Sequence, residues 1–581
     1  MSSANAFGKV DVPSQREAPP PSSLSLAHEK RALDQPRHYR ANHSYNGDDP
    51  VILRLLDSVF AENYPTDLFD LGPFVKDVDT RRPFRKAGGH ETSKVWKPEG
   101  TLVTTFGEHS GPVNRVVVAP DHAFFITASD DCTVKIWDTT RLEKNLMPRS
   151  RQTYRHAPGA KVKALTFIEN THTFVSGATD GSIHAVKVDY HNVNDTVRYG
   201  KLQLVRDYQL STAADGSPEY AVWIEHFRSD AQSTLLIATN TCRVLALDMK
   251  TMLPVYSLQN PVHHGVPTTF CCDKKHSWLL IGTTHGILNL WDLRFQVRLK
   301  AWGLSGAGAI QRLQIHPTKG RGRWVCVSSG GSRGNEITVW DIEKFRCREV
   351  FHADSPVTNN TTPNGAHHQP RSGNTRTTPN FSTTRDYEAW HVDGDRPEGM
   401  LSRFATTGPG SSTGIEPSGP SPTSAPAGIS AFIVGYDTPE DGKDNSTRCG
   451  FMVSVGCDRK IRFWDLNRPE HSTIISGLDI TADDAATRKP VYELFQPIPS
   501  LLMTMERIPG SSQSTPGGGA APGGKGKRTA SPRPPRSTVI SLQQQQLLKR
   551  HLDFIQDVAV LRVPYGMVVS VDRAGMVYVF Q

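Results

Sequence analysis

One short pattern recurs along this chain of 581 residues. Each copy has an apolar run, a turn of small or polar residues, and an alternating run that ends in Trp-Asp. Because the alternation has a period of two, both runs are predicted to be β-strands that form a hairpin. Four of the ten tryptophans end such a unit, in the pairs Trp137-Asp138, Trp291-Asp292, Trp340-Asp341 and Trp464-Asp465.

Degenerate copies bring the number of units to seven. Residues 173–187 repeat the pattern around Asp180-Gly181, residues 235–248 around Asn240-Thr241, and residues 566–580 with Phe580 in the tryptophan position. This is the WD-repeat signature, in which each unit is one blade that buries its faces only against its neighbours. The sequence therefore predicts an all-β fold, a seven-bladed WD-repeat β-propeller over residues 101–581.

The last unit lacks an outer strand within the sequence, because the chain ends one residue after Phe580. Residues 101–106 (Thr-Leu-Val-Thr-Thr-Phe) precede the first complete unit and have no other blade to join. Closing the ring would remove the exposed edges of the first and last units. We therefore expect residues 101–106 to complete the last blade.

The spacing of the repeats predicts two long insertions. Trp340 and Trp464 are 124 residues apart, and Trp464 and Phe580 are 116 apart, against roughly 40–45 residues for one repeat. The excess falls in segments rich in Ser, Thr, Pro, Gly and Gln, at about 353–427 and 509–546. Their composition predicts that both insertions are disordered.

Two further segments precede the propeller. Residues 1–45 are polar and rich in proline and read as a disordered lead-in. Residues 46–100 read as a connector with a helix over 50–64, which starts at Asp49-Pro50 and stops at Tyr64-Pro65. The apolar face of this helix is expected to dock on the chain's own domain or, alternatively, on a neighbouring domain or partner.

The net charge of +8 is confined to one tract. Residues 507–552 contain eight basic residues and no acidic one, so the charges of the rest of the chain sum to zero. A nucleic-acid-binding face is therefore not indicated. A solvated loop is favoured for the cluster at 525–536, and a nuclear-localisation, acidic-lipid or phospho-regulated patch is the alternative.

The sequence offers no sign of secretion or of a membrane span. It has no apolar run near the ~20 residues of a membrane helix and no signal-peptide core at its N-terminus. The eight cysteines are scattered without C-x-x-C spacing, which suits a reducing compartment. We expect a cytoplasmic protein.

No catalytic, cofactor or metal site is predicted. P-loop, H-E-x-x-H and protein-kinase motifs are missing from the sequence. The G-x-S-x-G pattern occurs at 330–334 and 410–414, but neither copy has the strand-to-helix context of a nucleophile elbow. His263-His264 and His367-His368 could bind a metal, but neither pair has a second ligand cluster nearby, so solvated loops are favoured.

The polar residues that stand out have a structural interpretation. His109, Ser129, Asp131 and Trp137 lie where WD blades commonly build a buried hydrogen-bond chain. The same residue types could suggest a hydrolase, but a structural network is favoured. Asp458 and Trp464 predict a second, partial network.

Several stretches go beyond the generic repeat. The most specific are residues 96–103 (Trp-Lys-Pro-Glu-Gly-Thr-Leu-Val) and 108–115 (Glu-His-Ser-Gly-Pro-Val-Asn-Arg), and they are joined by 131–137, 159–167 and 458–466. Together they resemble the C-terminal WD domain of the vacuolar protein sorting-associated protein 15 family, the regulatory subunit of class III phosphatidylinositol 3-kinase. The resemblance runs over roughly 45–581, apart from the two insertions.

The resemblance implies a non-catalytic scaffold for autophagy and endosome-to-vacuole sorting. Its implied partners are the lipid kinase catalytic subunit, a Beclin-like subunit and coiled-coil adaptors, on endosome, vacuole or autophagosome-precursor membranes. The family also has a serine/threonine-kinase-like domain, to which no residue of this sequence corresponds. Two alternatives stay open: a free-standing WD adaptor of chromatin or ubiquitin-ligase complexes, and a fragment of a kinase whose catalytic domain lies upstream.

Overall fold

The computed structural model describes the propeller and part of the connector. The described residues are 71–80, 82–85, 95–140, 149–193, 196–212, 216–228, 233–304, 306–354, 389–391, 428–438, 448–478, 490–508 and 550–581, with Ile52, Leu142 and Tyr387. The lead-in 1–45 and the insertion 509–546 lie outside them. Of the predicted helix 50–64, only Ile52 is described.

The described residues are nearly all β. The first strands in chain order are β1 Leu102–Phe106, β2 Val113–Val118, β3 Phe124–Ser129, β4 Thr133–Asp138, β5 Gln152–Arg155, β6 Val162–Phe167, β7 Thr173–Ala178, β8 Ser182–Lys187, β9 Tyr190–Val193, β10 Thr196–Tyr199, β11 Gln203–Gln209, β12 Ala221–Arg228, β13 Ser233–Thr239, β14 Arg243–Asp248, β15 Pro254–Gln259 and β16 Pro267–Cys272. They continue with β17 Trp278–Thr283, β18 Ile287–Asp292, β19 Val297–Leu304, β20 Ala307–Ile315, β21 Trp324–Gly331, β22 Glu336–Asp341, β23 Arg346–His352, β24 Ala389–His391, β25 Ile429–Asp437, β26 Cys449–Gly456, β27 Ile461–Asp465, β28 Thr473–Ser476, β29 Val491–Ile498, β30 Leu501–Arg507, β31 Ile555–Leu561, β32 Met567–Asp572 and β33 Val577–Phe580. Short 3-10 turns lie at Val262–His264, Gly320–Gly322 and Pro469–His471.

Seven sheets form the blades. Blade 1 is β2–β5, blade 2 is β6, β7, β8 and β11, blade 3 is β12–β15, and blade 4 is built on β16–β19. Blade 5 is built on β20–β23, blade 6 is β25–β28, and blade 7 is β31, β32, β33 and β1. The first strand of each blade packs on the first strand of the next, and β31 packs on β2. The predicted seven-bladed WD-repeat propeller is therefore confirmed.

The predicted closure is also confirmed. Strand β1 pairs antiparallel with β33, with Leu102 opposite Phe580 and Phe106 opposite Val577. Phe106 is buried between blades 7 and 1 and contacts the Trp137 ring at a centroid distance of 4.4 Å. The two ends of the propeller sequence thus share one sheet.

The insertions differ from the prediction. Strand β24 lies inside the segment 353–427, which was predicted to be disordered throughout, and it pairs with β19 as a fifth strand of blade 4. The hairpin β29–β30 lies between blades 6 and 7 in sequence but joins blade 5, where β30 runs parallel to β23. The long spacing before Phe580 therefore has two sources, this hairpin and the segment that follows it.

Candidate functional site

Blade 1 contains a buried chain of polar side chains. The Nδ1 atom of His109 lies 2.8 Å from Asp131 Oδ2, and its Nε2 atom lies 2.8 Å from Thr127 Oγ1. Trp137 donates its indole N–H to the same threonine oxygen over 2.9 Å. Burial opposes ionisation of Asp131, but hydrogen bonds from His109 and Thr133 outweigh it and hold the pKa of this carboxyl well below its usual value.

Ser129 does not occupy the place predicted for it in this chain. Thr127, two residues earlier on β3, joins the imidazole to the indole. The Ser129 hydroxyl donates to the carbonyl of Gly111 over 3.1 Å and accepts the Asp131 N–H over 3.2 Å. Ser129 therefore supports the turn beside the network. The structure brings the other three predicted residues together.

The second predicted network is also different. Trp464 donates its indole N–H to Ser454 Oγ over 2.8 Å, whereas Asp458 pairs with Arg462 over 2.5 Å. Arg462 in turn binds Glu506 on β30 over 2.6 Å. Asp458 thus belongs to an ion network that ties blade 6 to the added hairpin of blade 5.

The aspartates of the Trp-Asp pairs share one role. Each side chain accepts the backbone N–H two residues later, which stabilises the turn after the third strand of the blade. The distances are 2.9 Å for Asp138, 2.9 Å for Asp292, 3.1 Å for Asp341 and 2.9 Å for Asp465.

Three buried histidines that were not predicted to join a blade network build comparable contacts. They are His156 with Ser176, His264 with Asn289, and His551 with Ser570 and Asp572, at 2.7–3.0 Å. Each histidine lies three to six residues before the first strand of its blade, and this position was the missed signal. His264 is buried, so the loop prediction for it is wrong. Within the described ranges no three His, Cys, Asp or Glu side chains form a metal site.

Seven register-equivalent positions lie near the start of the first strands. The first strand of each blade has a register shift in its pairing with the second strand. The residue that follows this shift occupies the same position in every blade. In blades 1 to 7 these residues are Arg115, Ala164, Trp223, Thr269, Arg312, Ala431 and Asp557. Since the first strands surround the central channel of a propeller, these residues form one layer around its axis.

Four long side chains, from blades 1, 3, 5 and 7, meet in this layer, and blades 7 and 1 are neighbours in the closed ring. Asp557 Oδ2 lies 3.2 Å from Arg115 Nη1, and Asp557 Oδ1 accepts a hydrogen bond from Arg312 Nη2. The guanidinium carbons of Arg115 and Arg312 lie 4.0 and 4.8 Å from the ring centre of Trp223. We call these four residues the axial ring. The blades between them carry Ala164, Thr269 and Ala431, which leave room for the long side chains.

Glu225 lies beside the axial ring. It follows Trp223 by two residues on β12, and its Oε1 atom accepts the Trp223 indole N–H over 3.1 Å. Burial raises the pKa of Glu225 to about 7, although the Trp223 hydrogen bond and the charges of Arg115 and Arg312 oppose this rise. Burial thus favours the neutral form of this carboxyl far more than solvent exposure would.

Part of the connector crosses one face of the propeller, and we call its described residues between Leu71 and Gly100 the strap. The strap binds the turns between the first and second strands of four blades. Its hydrogen-bonded contacts are Thr173 and Asn170 in blade 2, Pro120 in blade 1, Arg562 and Gly566 in blade 7, and Asp437 in blade 6.

Two aromatic residues anchor the strap. The rings of Phe84 and Trp96 stack with centroids 4.3 Å apart, and both residues are buried. Asp437 accepts both of their backbone N–H groups, at 3.2 and 2.8 Å, and the Arg562 guanidinium lies 4.0 Å from the centre of the Phe84 ring. Trp96 begins the sequence stretch 96–103 that carries the family resemblance. This stretch therefore helps to fix the connector on the propeller.

The rim of the propeller exposes apolar side chains. Phe295, Val297 and Leu299 lie together at the outer strand of blade 4, and Val491 and Leu494 lie on the edge strand β29 of blade 5. His367-His368 and the basic cluster at 525–536 lie outside the described residues. No helix in the part of the chain that the structure covers is long and apolar enough to cross a membrane.

Comparison with known proteins gives a consistent result. The model of the WD domain, G-beta repeat, matches residues 100–138. A putative serine/threonine-protein kinase VPS15 of Komagataella pastoris is 25% identical over 557 residues, which is 93% of this chain and 34% of that protein. The serine/threonine-protein kinases VPS15 of Arabidopsis thaliana and Saccharomyces cerevisiae are 27% and 26% identical over 66% and 53% of this chain.

This chain spans about a third or less of the length of these relatives, with 34%, 23% and 20% of them aligned. The similarity extends far beyond the single repeat that the WD model matches, since it reaches 93% of the chain. The chain is thus a WD-repeat propeller homologous to the VPS15 serine/threonine-protein kinases, and the resemblance to that family predicted from its sequence is confirmed.

Proposed function

We propose that this chain is a non-catalytic protein-interaction scaffold of a class III phosphatidylinositol 3-kinase complex. The observation that carries the proposal is the similarity to VPS15 proteins over 93% of the chain. A propeller offers two faces and a rim for protein binding. The strap occupies part of one face, so the rim and the opposite face are the surfaces available to partners.

The partners in this proposal are the lipid kinase catalytic subunit, a Beclin-like subunit and coiled-coil adaptors. Through them the chain would serve autophagy and endosome-to-vacuole sorting, peripherally on endosome, vacuole or autophagosome-precursor membranes. The apolar group Phe295, Val297 and Leu299 supports a contact at the rim of blade 4, because exposed apolar groups commonly mark protein interfaces.

Affinity purification of the tagged full chain from its native cells tests this function. The proposal expects the lipid kinase and the Beclin-like subunit to be recovered. A double variant, Val297→Glu with Leu299→Glu, should recover less of them, whereas Leu204→Glu, an equally exposed site on blade 2, should recover them as the parent does. Purification without either subunit would contradict the proposal.

Two alternatives predict other outcomes. A free-standing WD adaptor would recover chromatin or ubiquitin-ligase subunits instead. A kinase with its catalytic domain upstream would show His-Arg-Asp and Asp-Phe-Gly codons in the genomic DNA before Met1, which is the motif set of that domain. That second result would leave the scaffold role of the propeller intact and place it inside a longer protein.

A further inference from the structure

The axial ring carries more hydrogen-bond donors than its own acceptor can use. Asp557 accepts hydrogen bonds from Arg312 and from the backbone N–H groups of Val116 and Val558, the latter two at 3.0 and 2.9 Å, and it forms an ion pair with Arg115 over 3.2 Å. These three hydrogen bonds and the ion pair occupy the roughly four lone-pair sites of a carboxylate. Across the described ranges, neither Arg115 nor Arg312 has another hydrogen-bond acceptor, although each guanidinium has about five N–H groups.

The charges in the layer are also unequal. The axial ring holds two guanidiniums, which stay protonated at neutral pH, against the single carboxylate of Asp557. Glu225 lies beside the ring, and burial raises the pKa of its carboxyl. The Arg312 side chain is 7% exposed and the Arg115 side chain 17% exposed. An excess of positive charge held away from bulk water attracts an anion more strongly than the same charge at the surface.

A third group in the layer lacks a partner. Thr269 holds the position in blade 4 that Trp223 and Arg312 hold in blades 3 and 5. Its hydroxyl is fully buried and has no hydrogen-bond partner among the residues that the structure describes. A buried hydroxyl without a partner is unfavourable in free energy, and it can donate to an anion held between the two guanidiniums.

The layer lies at the end of the first strands that is remote from the strap. The strap binds the turns that follow the first strands, for example at Pro120 after β2. The axial ring lies at the other end of the same strands, and Arg115 is four residues before Ala119, or roughly 13 Å at 3.3 Å per residue. The small residues Ala164 and Ala431 flank the long side chains on this layer.

We propose that the axial ring binds a small soluble anion of the phosphate type, held by Arg115 and Arg312 with the Thr269 hydroxyl. A guanidinium matches phosphate oxygens in charge and in the spacing of its N–H groups. The axial channel is lined by β-strands from all seven blades, so a free anion fits this site and a bilayer does not. This inference does not depend on the partners proposed above.

Isothermal titration of the full chain with inorganic phosphate tests the proposal. The parent should bind, and Arg115→Gln and Arg312→Gln should each weaken binding by about tenfold or more, the effect of losing one charged hydrogen bond. Asp557→Asn should strengthen binding because it removes the competing negative charge. The control is Arg323→Gln, which removes a rim arginine that is 59% exposed and should leave the affinity unchanged.

A variant that changes no charge distinguishes a loss of phosphate binding from a loss of folding. Thr269→Val keeps the size and charge of the layer, so it should fold with the parent's circular dichroism and thermal midpoint and bind phosphate several-fold more weakly. No phosphate binding by the parent, or equal binding by the parent and by folded Arg115→Gln, would overturn the proposal. So would binding only to vesicles that contain phosphatidylinositol phosphate, because that result would assign the affinity to a lipid surface.

Discussion

Replacing Phe106 with alanine removes the one fully buried side chain of the strand that closes the propeller. The Phe106 ring lies 4.4 Å from the Trp137 ring centre and 6.3 Å from that of Phe125, within the core between blades 7 and 1. Truncation of a buried phenylalanine destabilises by about 3–5 kcal/mol. Since the entropy of unfolding is about 2.1 cal/mol/K per residue, the roughly 350 residues that the structure describes convert this loss to a drop of about 4–7 °C in Tm.

Differential scanning calorimetry of the full chain measures this shift. The matched control is Phe74→Ala, the same substitution at a strap residue that is 70% exposed, and its Tm should fall by less than about 1 °C. Removal of residues 101–106 should lower the Tm further, because β33 then loses its partner strand. Equal midpoints for Phe106→Ala and Phe74→Ala would refute the view that β1 stabilises the closed ring.

Three other substitutions test the interior of the propeller. Thr127→Val should lower the free energy of unfolding by about 2–4 kcal/mol, because it leaves a buried imidazole nitrogen and an indole N–H unpaired; an equal loss for Ser129→Ala would contradict the observed network. Glu225→Gln should stabilise the protein increasingly as the pH rises from 5 to 8, by at most about 3 kcal/mol, because the raised pKa makes ionisation in the fold unfavourable; a Tm difference independent of pH would exclude this. Gly566→Ala should speed tryptic cleavage of the strap, since a Cβ at Gly566 would collide with the Trp96 indole; unchanged digestion would show that the strap tolerates the clash.

Local repeats made the fold readable from the sequence. Each Trp-Asp unit is a hairpin of two mostly buried strands joined by a turn of small or polar residues, and this information lies within about fifteen residues. The closure by residues 101–106 followed from counting, because a ring of four-stranded blades must use every strand. The seven blades and their joined ends needed no knowledge of tertiary contacts.

Pairing over long distances was not readable in the same way. The hairpin β29–β30 has strand-like residues, but its partner strand β23 ends at His352, which is 149 residues before β30 begins at Leu501. Similarly, β24 is three residues long and lies in a segment of low complexity. A strand-like pattern indicates that a segment can pair with the edge of a sheet. Only the packed propeller determines which blade has a free edge for that segment.

The polar networks show the same division. The sequence placed His109, Asp131 and Trp137 in one blade, but it named Ser129 where Thr127 lies between the rings, because both residues are small hydroxyl donors on the same strand face. Which of the two hydroxyls joins the network depends on which one lies 2.8–2.9 Å from both the His109 imidazole and the Trp137 indole. That distance is set by the pairing of β3 with β4.

The sequence by itself determined the number of blades, the strand that closes the ring and the family resemblance, because each depends on repeated or contiguous residues. The tertiary structure alone decided the axial ring. Its members Arg115, Trp223, Arg312 and Asp557 are separated by up to 442 residues in the chain, and no local pattern links them. They become neighbours because the first strands of all seven blades surround one axis, which brings long side chains from different blades within reach of each other.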